Sequence, residues 1–171
     1  MRKSLLIMFL LFAAGITANA QKFALIDMEY ILKNIPAYQS ASNELNQVSK
    51  QWQNEVEKLG KEAKSLYDSY QASVKALSDA QKTKKEEEIV AKEKSAAELR
   101  RKYFGPEGEF FKKREALMQP IQDEIYEAVK AISTQKGYAV VVDRASASSI
   151  IFASPNIDIS NEVLAKLGYS N

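Results

Sequence analysis

The chain has 171 residues, of which 24 are Lys or Arg and 22 are Asp or Glu, and it contains neither Cys nor His. Catalysis by a thiol or an imidazole, zinc sites built on these groups, and disulfide bonds are therefore excluded. The near balance of charge gives no global support for nucleic-acid binding, which depends on clustered basic residues, so we expect no nucleic-acid partner.

The first 20 residues have the pattern of a secretory signal peptide. Arg2 and Lys3 precede an apolar run from Leu5 to about Ile16, and small residues end at Ala20. A transmembrane anchor is the alternative, but the run is shorter than the roughly 20 apolar residues that a helix needs to span a bilayer. We therefore expect cleavage after Ala20 and a secreted product, which retains 22 basic and 22 acidic residues.

A short apolar segment at residues 22–27 predicts a buried strand that ends in Asp27. A catalytic role is one interpretation of this carboxylate, but we favour an Asp that caps the turn after the strand. Residues 28–33 are expected to form one or two helical turns, which the segment 34–36 then interrupts.

The strongest pattern lies on residues 39–78, the outbound limb of a helical hairpin predicted over residues 38–136. Apolar residues recur there with a mean spacing of about 3.6 residues, the period of an α-helix. A helix of this length would extend about 60 Å, so it must pair with another helix or project into solvent. The apolar positions are Leu45, Val48, Trp52, Val56, Leu59, Ala63, Leu66, Tyr70, Val74 and Leu77.

Residues 78–98 form the predicted tip of the hairpin. Their only large apolar residues are Ile89 and Val90, so a helix pair would bury little and we expect a solvated, mobile tip. A basic cluster precedes three glutamates at spacings that support a helix through ion pairs. We favour a solvated helix face, and a surface for a charged partner is the alternative. The cluster consists of Lys82, Lys84 and Lys85.

The return limb resumes the apolar pattern but contains the sequence Gly-Pro-Glu-Gly at residues 105–108. Two glycines around a proline disrupt a helix, and we predict a hinge there. Pro120 predicts a second bend further along the limb. The hinge residues are Gly105, Pro106 and Gly108.

Two apolar segments near the end of the chain, residues 138–143 and 149–153, predict a β-hairpin. Ser146, Ser148 and Ser149 lie at its polar turn, and we interpret them as turn residues because no His is present to activate them. A final short helix is predicted to begin with Ser160 as its cap.

Residues 21–37 and 137–171 form a base that would be marginal alone, because three short strands and one short helix bury little surface. The strands also leave edges that something must cover. We therefore predict an α+β fold, in which a long antiparallel α-helical hairpin projects from a small β-sheet body that oligomerises. The apolar residues assigned to the body are Phe23, Leu25, Ile26, Val140, Val141, Val142, Ile150, Ile151 and Phe152.

This order of segments resembles the Skp, or OmpH, family of periplasmic chaperones. The most specific pieces are the segment Lys-Phe-Ala-Leu-Ile-Asp at 22–27, the segment Gly-Tyr-Ala-Val-Val-Val-Asp at 137–143, and Asp-Ile-Ser at 158–160. The resemblance implies a periplasmic homotrimer with a trimeric β-barrel body and three helical tentacles around a cavity. Proteins of that family hold unfolded outer-membrane β-barrel proteins in the cavity without ATP.

The chain departs from that family in its charge. The best-known members are strongly basic, and their tentacles are thought to attract anionic clients and lipopolysaccharide, whereas the mature chain is balanced. Contact with membrane or lipopolysaccharide is therefore weakly supported, and we assign no lipopolysaccharide site.

Exposed aromatic and basic side chains of the hairpin are the candidates for weak, sequence-tolerant contacts with such clients. We expect at least half of the aromatic ones to hold the two limbs together instead. The candidates are Trp52, Tyr67, Tyr70, Tyr103, Phe104, Lys82, Lys84, Lys85, Arg100 and Arg101.

Two other classes of function remain open. A structural coiled-coil protein of the envelope, acting as a spacer or tether, fits the long helices, although the polar tip counts against it. An enzyme would have to use Asp27 and Asp143, but paired carboxylates at strand ends are commonly structural, and no pocket-forming motif lies beside them. We expect no enzymatic activity, no cofactor and no metal.

Overall fold

The computed structural model describes residues 22–169, so the predicted signal peptide and its cleavage site lie outside the described residues. Helices dominate these residues, and two strands form a small sheet. In chain order the elements are β1 (Lys22–Ile26), α1 (Met28–Lys33), α2 (Pro36–Ser73), a 3-10 turn (Val74–Ala76), α3 (Asp79–Phe104), α4 (Glu109–Lys136), β2 (Tyr138–Asp143), a second 3-10 turn (Pro155–Ile157) and α5 (Ser160–Lys166).

The described residues form two compact units. One, the hairpin unit, comprises residues 32–125, and the other, the base unit, comprises residues 22–31 together with 126–169. Helix α4 contributes residues to both units, since its last eleven residues belong to the base unit.

Helix α2 confirms the apolar stripe predicted for the outbound limb. Pro36 occupies the start of the helix, where its missing N–H costs no hydrogen bond. The buried positions fall at intervals of 4, 11, 7 and 7 residues, which keeps them on one face in the manner of a heptad seam. These buried residues are Ala41, Leu45, Val56, Ala63 and Tyr70.

The chain reverses direction over residues 74–78, and the tip predicted over residues 78–98 is therefore wrong in its extent. Residues 79–98 are helical and belong to α3. A capping box starts this helix: the Gln81 backbone N–H donates to Ser78 Oγ at 3.4 Å, and Gln81 Oε1 accepts from the Ser78 backbone N–H at 2.9 Å. Ile89 is buried on α3, whereas its neighbour Val90 is 60% exposed.

The interruption predicted at residues 105–108 separates α3 from α4. Both glycines are held where backbone approaches closely: a Cβ on Gly108 would lie 2.6 Å from the Tyr103 carbonyl oxygen, and one on Gly105 would lie 2.4 Å from the Arg101 carbonyl oxygen. A larger residue would force the backbone to shift. Pro120, in contrast, lies inside α4, which is assigned as one helix on both sides of it.

The base unit contains a parallel pair of strands, in which Phe23 lies beside Val140 and Ile26 beside Asp143. The predicted β-hairpin is wrong, because β2 pairs with β1 and residues 150–153 form no strand. A strand requires a hydrogen-bonded neighbour, and the described residues offer segment 150–153 none.

The core of the base unit lies between strand β1 and the helical segments. Gly137 and Gly168 follow helices with φ of 71° and 87°, the left-handed conformation that favours glycine after a helix end. The helix ends predicted from these glycines are confirmed. The buried apolar residues are Ala24, Leu25, Ile26, Ile31, Ala128, Ile132, Ile159, Val163 and Leu164.

Candidate functional site

An aromatic cluster joins the helices of the hairpin unit next to the interruption. Trp52 of α2 stacks on Tyr103 of α3, with ring centroids 4.7 Å apart and planes 7° apart. Phe104 meets Trp52 edge-on at 6.4 Å and lies 6.0 Å from Phe110 of α4. Trp52 and Tyr103, both half-buried, therefore pack against each other across the helix pair.

Two tyrosine hydroxyls link α2 to α3 through carboxylates. Tyr103 donates to Glu55 Oε2, and Tyr70 donates to Glu86 Oε1. The phenol of Tyr103 lowers the pKa of Glu55, and the same bond raises the pKa of Tyr103. The carboxylate of Glu86 likewise raises the pKa of Tyr70, which is buried. Tyr70 thus also serves the helix pair.

Ion pairs add to these cross-links. Lys92 Nζ lies 2.9 Å from Glu62 Oε2, which lowers the pKa of Glu62, and Lys113 Nζ lies 2.5 Å from Glu44 Oε1. The sequence did not predict that carboxylates would cross-link the helices. The four that do so are Glu44, Glu55, Glu62 and Glu86. For Glu55, Glu62 and Glu86 a signal was present, because partners in an antiparallel pair lie at nearly equal distances from the reversal: Tyr70 and Glu86 are each eight residues from residue 78.

The remaining aromatic candidates stay accessible. Tyr67 is 49% exposed and Phe104 is 36% exposed. Both line an open groove of about 960 Å³ between α2 and α3, whose lining also includes Gly60, Ala97 and Arg100. The groove opens to solvent along its length, so it is a surface feature rather than an enclosed cavity.

The basic candidates differ in their surroundings. Lys82 pairs with Asp79 at 3.1 Å, one turn away on α3. Lys84 and Lys85 make no ion pair within residues 22–169, and neither do Arg100 and Arg101. Four of the five predicted basic residues therefore keep their charge available to a ligand.

Four of the apolar residues predicted for the body are exposed in the single chain. Ile151 is 100% exposed and Phe152 is 85% exposed, while Phe23 and Val140 are 52% and 46% exposed and lie side by side in the sheet. The other five are covered to different degrees. Leu25 and Ile26 are buried, and Val141, Val142 and Ile150 are half-buried.

Asp27 occupies the capping position predicted for it, since its Oδ1 accepts from the Tyr30 backbone N–H at 2.8 Å. The predicted cap by Ser160 is wrong. Ser160 is buried, its hydroxyl accepts from the Asp27 backbone N–H at 2.8 Å and donates to Asp158 Oδ1 at 2.6 Å. Asp158 instead accepts from the Ser160 backbone N–H at the start of α5.

Arg144, which the sequence reasoning did not single out, connects these carboxylates. Its guanidinium lies 3.0 Å from Asp27 Oδ2 and 3.5 Å from Asp158 Oδ2. Asp143 accepts from the backbone N–H groups of Met28 and Ala145. Burial acts to raise the pKa of Asp143, but hydrogen bonds from Met28, Ser146 and Ala145 together outweigh it and lower the pKa. The carboxylates therefore tie β1, β2 and α5 together, which is a structural role.

The described part of the chain lacks two further features, a metal-binding cluster and a membrane-spanning helix. No group of acidic side chains within residues 22–169 is arranged to hold a metal ion. No helix in the same range is long and apolar enough to cross a membrane.

Comparison with known proteins identifies relatives along most of the chain. The sequence model of a family described as outer membrane protein (OmpH-like) matches residues 22–167. The chaperone protein Skp of Photorhabdus luminescens is 24% identical over 167 residues, covering 92% of each chain. The chaperone protein Skp of Pectobacterium atrosepticum is 26% identical over 160 residues, covering 91% of this chain and 90% of the relative.

A solved structure supports the same architecture. An OmpH-like outer membrane chaperone from Caulobacter crescentus superposes with a TM-score of 0.67, covering 86% of this chain and 83% of the other. The two sequences are 12% identical, so this likeness concerns the fold alone.

Proposed function

Because the chain belongs to the family of OmpH-like outer membrane proteins, we propose that it is an ATP-independent periplasmic holdase that binds unfolded outer-membrane proteins and prevents their aggregation. The family match over residues 22–167 carries this proposal. Relatives named chaperone protein Skp, which align over nine tenths of their length, support it. The predicted signal peptide, cleaved after Ala20, delivers the chain to the periplasm.

The hairpin unit has the surface that such a holdase needs. An unfolded outer-membrane β-barrel protein exposes alternating apolar residues, and many weak contacts can cover them without a fixed sequence. Tyr67, Phe104 and Phe111 are exposed aromatic side chains of this unit, and Arg100 and Arg101 carry unpaired charges beside the groove. Tyr67, Phe104 and Phe111 therefore replace Trp52, Tyr70 and Tyr103 as the preferred aromatic contacts with the client.

The base unit assembles three copies in this proposal. Phe23, Val140, Ile151 and Phe152 are exposed in the single chain, and contact with neighbouring copies would cover them. Segment 150–153 then becomes a strand by pairing with another copy, and the strands close into a β-barrel body. Three hairpins on this body enclose a cavity, and the glycine-rich interruption at 105–108 acts as a hinge that widens it.

The test is suppression of aggregation. A urea-unfolded outer-membrane β-barrel protein is diluted into buffer with the secreted chain, residues 21–171, at one trimer per client, and light scattering is followed. We expect the scattering to stay near its starting value, whereas an equal mass of albumin leaves it rising. Unchanged aggregation in the presence of the secreted chain would refute the holdase function.

A second candidate is a coiled-coil spacer or tether of the envelope. The heptad-like spacing of the buried residues along α2 favours it. Small-angle scattering separates the two functions, because a spacer gives the profile of a slender rod and the chaperone gives that of an open trimer with a cavity.

A further inference from the structure

The groove on the hairpin unit has apolar walls and a charged rim. Its volume is about 960 Å³, and it opens to solvent between α2 and α3. Tyr67 and Phe104 contribute exposed aromatic surface at its walls, and Val56 lies buried at its floor. Large side chains of another molecule can therefore enter it without any rearrangement of the two helices.

Gly60 keeps this groove open. It lies in the interior of α2, where glycine is a poor helix former. A Cβ built on Gly60 meets no atom within 4 Å, so neither helix packing nor backbone conformation requires a glycine there. The absent side chain leaves empty space in the groove, which is a use for an otherwise unfavourable residue.

The rim carries unneutralised positive charge. Lys61 is paired with Glu57 at 2.6 Å, and Lys64 with Asp68 at 3.0 Å. Arg100 and Arg101 make no ion pair with any described residue. Among the lining carboxylates, Glu93 also has no ion pair in residues 22–169. The two unpaired arginines outweigh this one carboxylate, so the groove retains a net positive charge.

We propose that the groove binds an extended polypeptide segment in which an aromatic side chain lies beside a carboxylate. The aromatic ring enters the groove next to Tyr67 and Phe104, and the carboxylate pairs with Arg100 or Arg101. This inference rests on the proposed function and narrows the client to chains that contain such segments.

The mixed charge of the rim selects a polypeptide rather than an anionic lipid. A single carboxylate matches the excess that the two arginines provide. A head group with several negative charges would also face Glu93, the lining carboxylate without an ion pair in residues 22–169, which opposes it. The arrangement therefore suits isolated acidic residues in an otherwise apolar segment.

The test uses a fluorescent eight-residue peptide of Gly and Ser with a central Phe-Asp pair, and two matched peptides with Phe-Asn and Ser-Asp. Anisotropy titrations with residues 21–171 are expected to rank Phe-Asp first. Substitution G60L, which fills the groove with a good helix former, should weaken this peptide at least tenfold. The double substitution R100Q and R101Q should reduce the affinity for the Phe-Asp peptide to that for the Phe-Asn peptide. The control R114Q replaces an exposed arginine outside the groove and should leave the affinity for the Phe-Asp peptide unchanged.

The results also separate this site from the chaperone function. Circular dichroism of G60L should show an intact helical chain, so a weaker affinity reports the groove. Equal affinity of the native chain and G60L for the peptide would overturn the groove proposal, even where both chains suppress aggregation of the β-barrel client. Binding of phosphatidylglycerol vesicles that G60L abolishes, with no binding of any peptide, would overturn it in favour of a lipid. Aggregation that the native chain leaves unchanged would refute the chaperone function itself.

Discussion

The hairpin unit and the base unit expose apolar surface in different ways. In the hairpin unit the exposed large apolar residues, such as Tyr67, Val90 and Phe111, are spread along separate helix turns. In the base unit they include two neighbouring pairs, Ile151 and Phe152 in sequence and Phe23 and Val140 in the sheet. Scattered apolar groups suit weak and changing contacts, whereas a contiguous patch indicates a permanent partner. One chain therefore carries two kinds of interaction surface.

The stability of the two units has different sources as well. Side chains of the hairpin unit complete each other within one chain, through the Trp52–Tyr103 stack and the Tyr70–Glu86 hydrogen bond. The base unit is tied by the Arg144 and Ser160 network, but within residues 22–169 its sheet has two strands. We therefore expect the hairpin unit to stay folded in variants that cannot assemble. The base unit of such variants should lose stability.

We expect the largest effect from placing charge on Ile151 and Phe152, the two most exposed apolar residues of the base unit. We expect Ile151→Asp combined with Phe152→Asp to abolish the proposed trimer at micromolar concentration, because burying each native side chain in it would contribute about 1.5–3 kcal/mol per copy. Sedimentation equilibrium measures the mass. The control is Phe111→Asp, which places a charge on an exposed aromatic residue of the hairpin unit and should leave the proposed trimer intact. A double variant that remains trimeric would show that Ile151 and Phe152 are not at the interface.

The next effect concerns the aromatic cluster. Trp52→Ala should lower the free energy of unfolding by about 2–3 kcal/mol, less than for a fully buried aromatic residue because Trp52 is half-buried. Urea denaturation followed by circular dichroism measures this change. Tyr67→Ala is the control and should cost less than about 1 kcal/mol, since the ring is 49% exposed. Equal losses for the two variants would contradict the distinction between packing and contact residues.

Two glycines of the hairpin unit should respond in opposite directions. Gly108→Ala should destabilise by about 1–3 kcal/mol, because the new Cβ would lie 2.6 Å from a backbone oxygen. Gly60→Ala should stabilise by about 0.5–1 kcal/mol, because the added methyl group meets nothing and alanine favours the helix. Thermal denaturation of both variants checks the pair, and destabilisation by Gly60→Ala would show that this glycine has a packing role.

The smallest effect is a pH dependence of the hairpin. The pKa of Glu55 is lowered in the fold, so its bond to Tyr103 stabilises above the ordinary carboxyl pKa and is lost as pH falls through the folded value. The pKa of Tyr103 is raised, so the contribution is present below the ordinary phenol pKa and is lost as pH rises through the folded value. Stability from this bond is therefore greatest between the two ranges.

Melting temperatures between about pH 6 and about pH 3 check the acid side of this dependence. Glu55→Gln should lose less stability than the native chain on acidification, because the titrating group is gone. Glu115→Gln, which removes an exposed carboxylate with no ion pair in the described residues, should follow the native profile. Identical profiles for all three proteins would mean that the Glu55 bond contributes nothing measurable.

Much of the hairpin was predictable because its signals are local. The apolar spacing from Leu45 to Tyr70 predicted α2, and the sequence at 105–108 predicted the interruption. The extent of the tip was not predictable from local signals. The apolar content after Ser78 is low, yet a capping box and ion pairs suffice to start α3. The packing of Trp52 on Tyr103 depends on the register of two helices, which no local pattern states.

The base was harder because its contacts join distant residues. Residues 149–153 have the composition of a strand, yet composition cannot say which strand would be the neighbour. Ser160 precedes a helix and so resembled a cap, but the Asp27 backbone N–H, 133 residues away in sequence, occupies its oxygen. The role of Arg144 likewise depends on Asp27 and Asp158 meeting at the sheet end.

We propose that three copies of this chain gather through their bases and hold one unfolded client with their hairpins. Sedimentation of the secreted chain with a urea-unfolded outer-membrane β-barrel protein, diluted together, tests it most directly. We expect a soluble complex with the mass of three chains and one client. A chain that sediments as a monomer while the client pellets alone would contradict it.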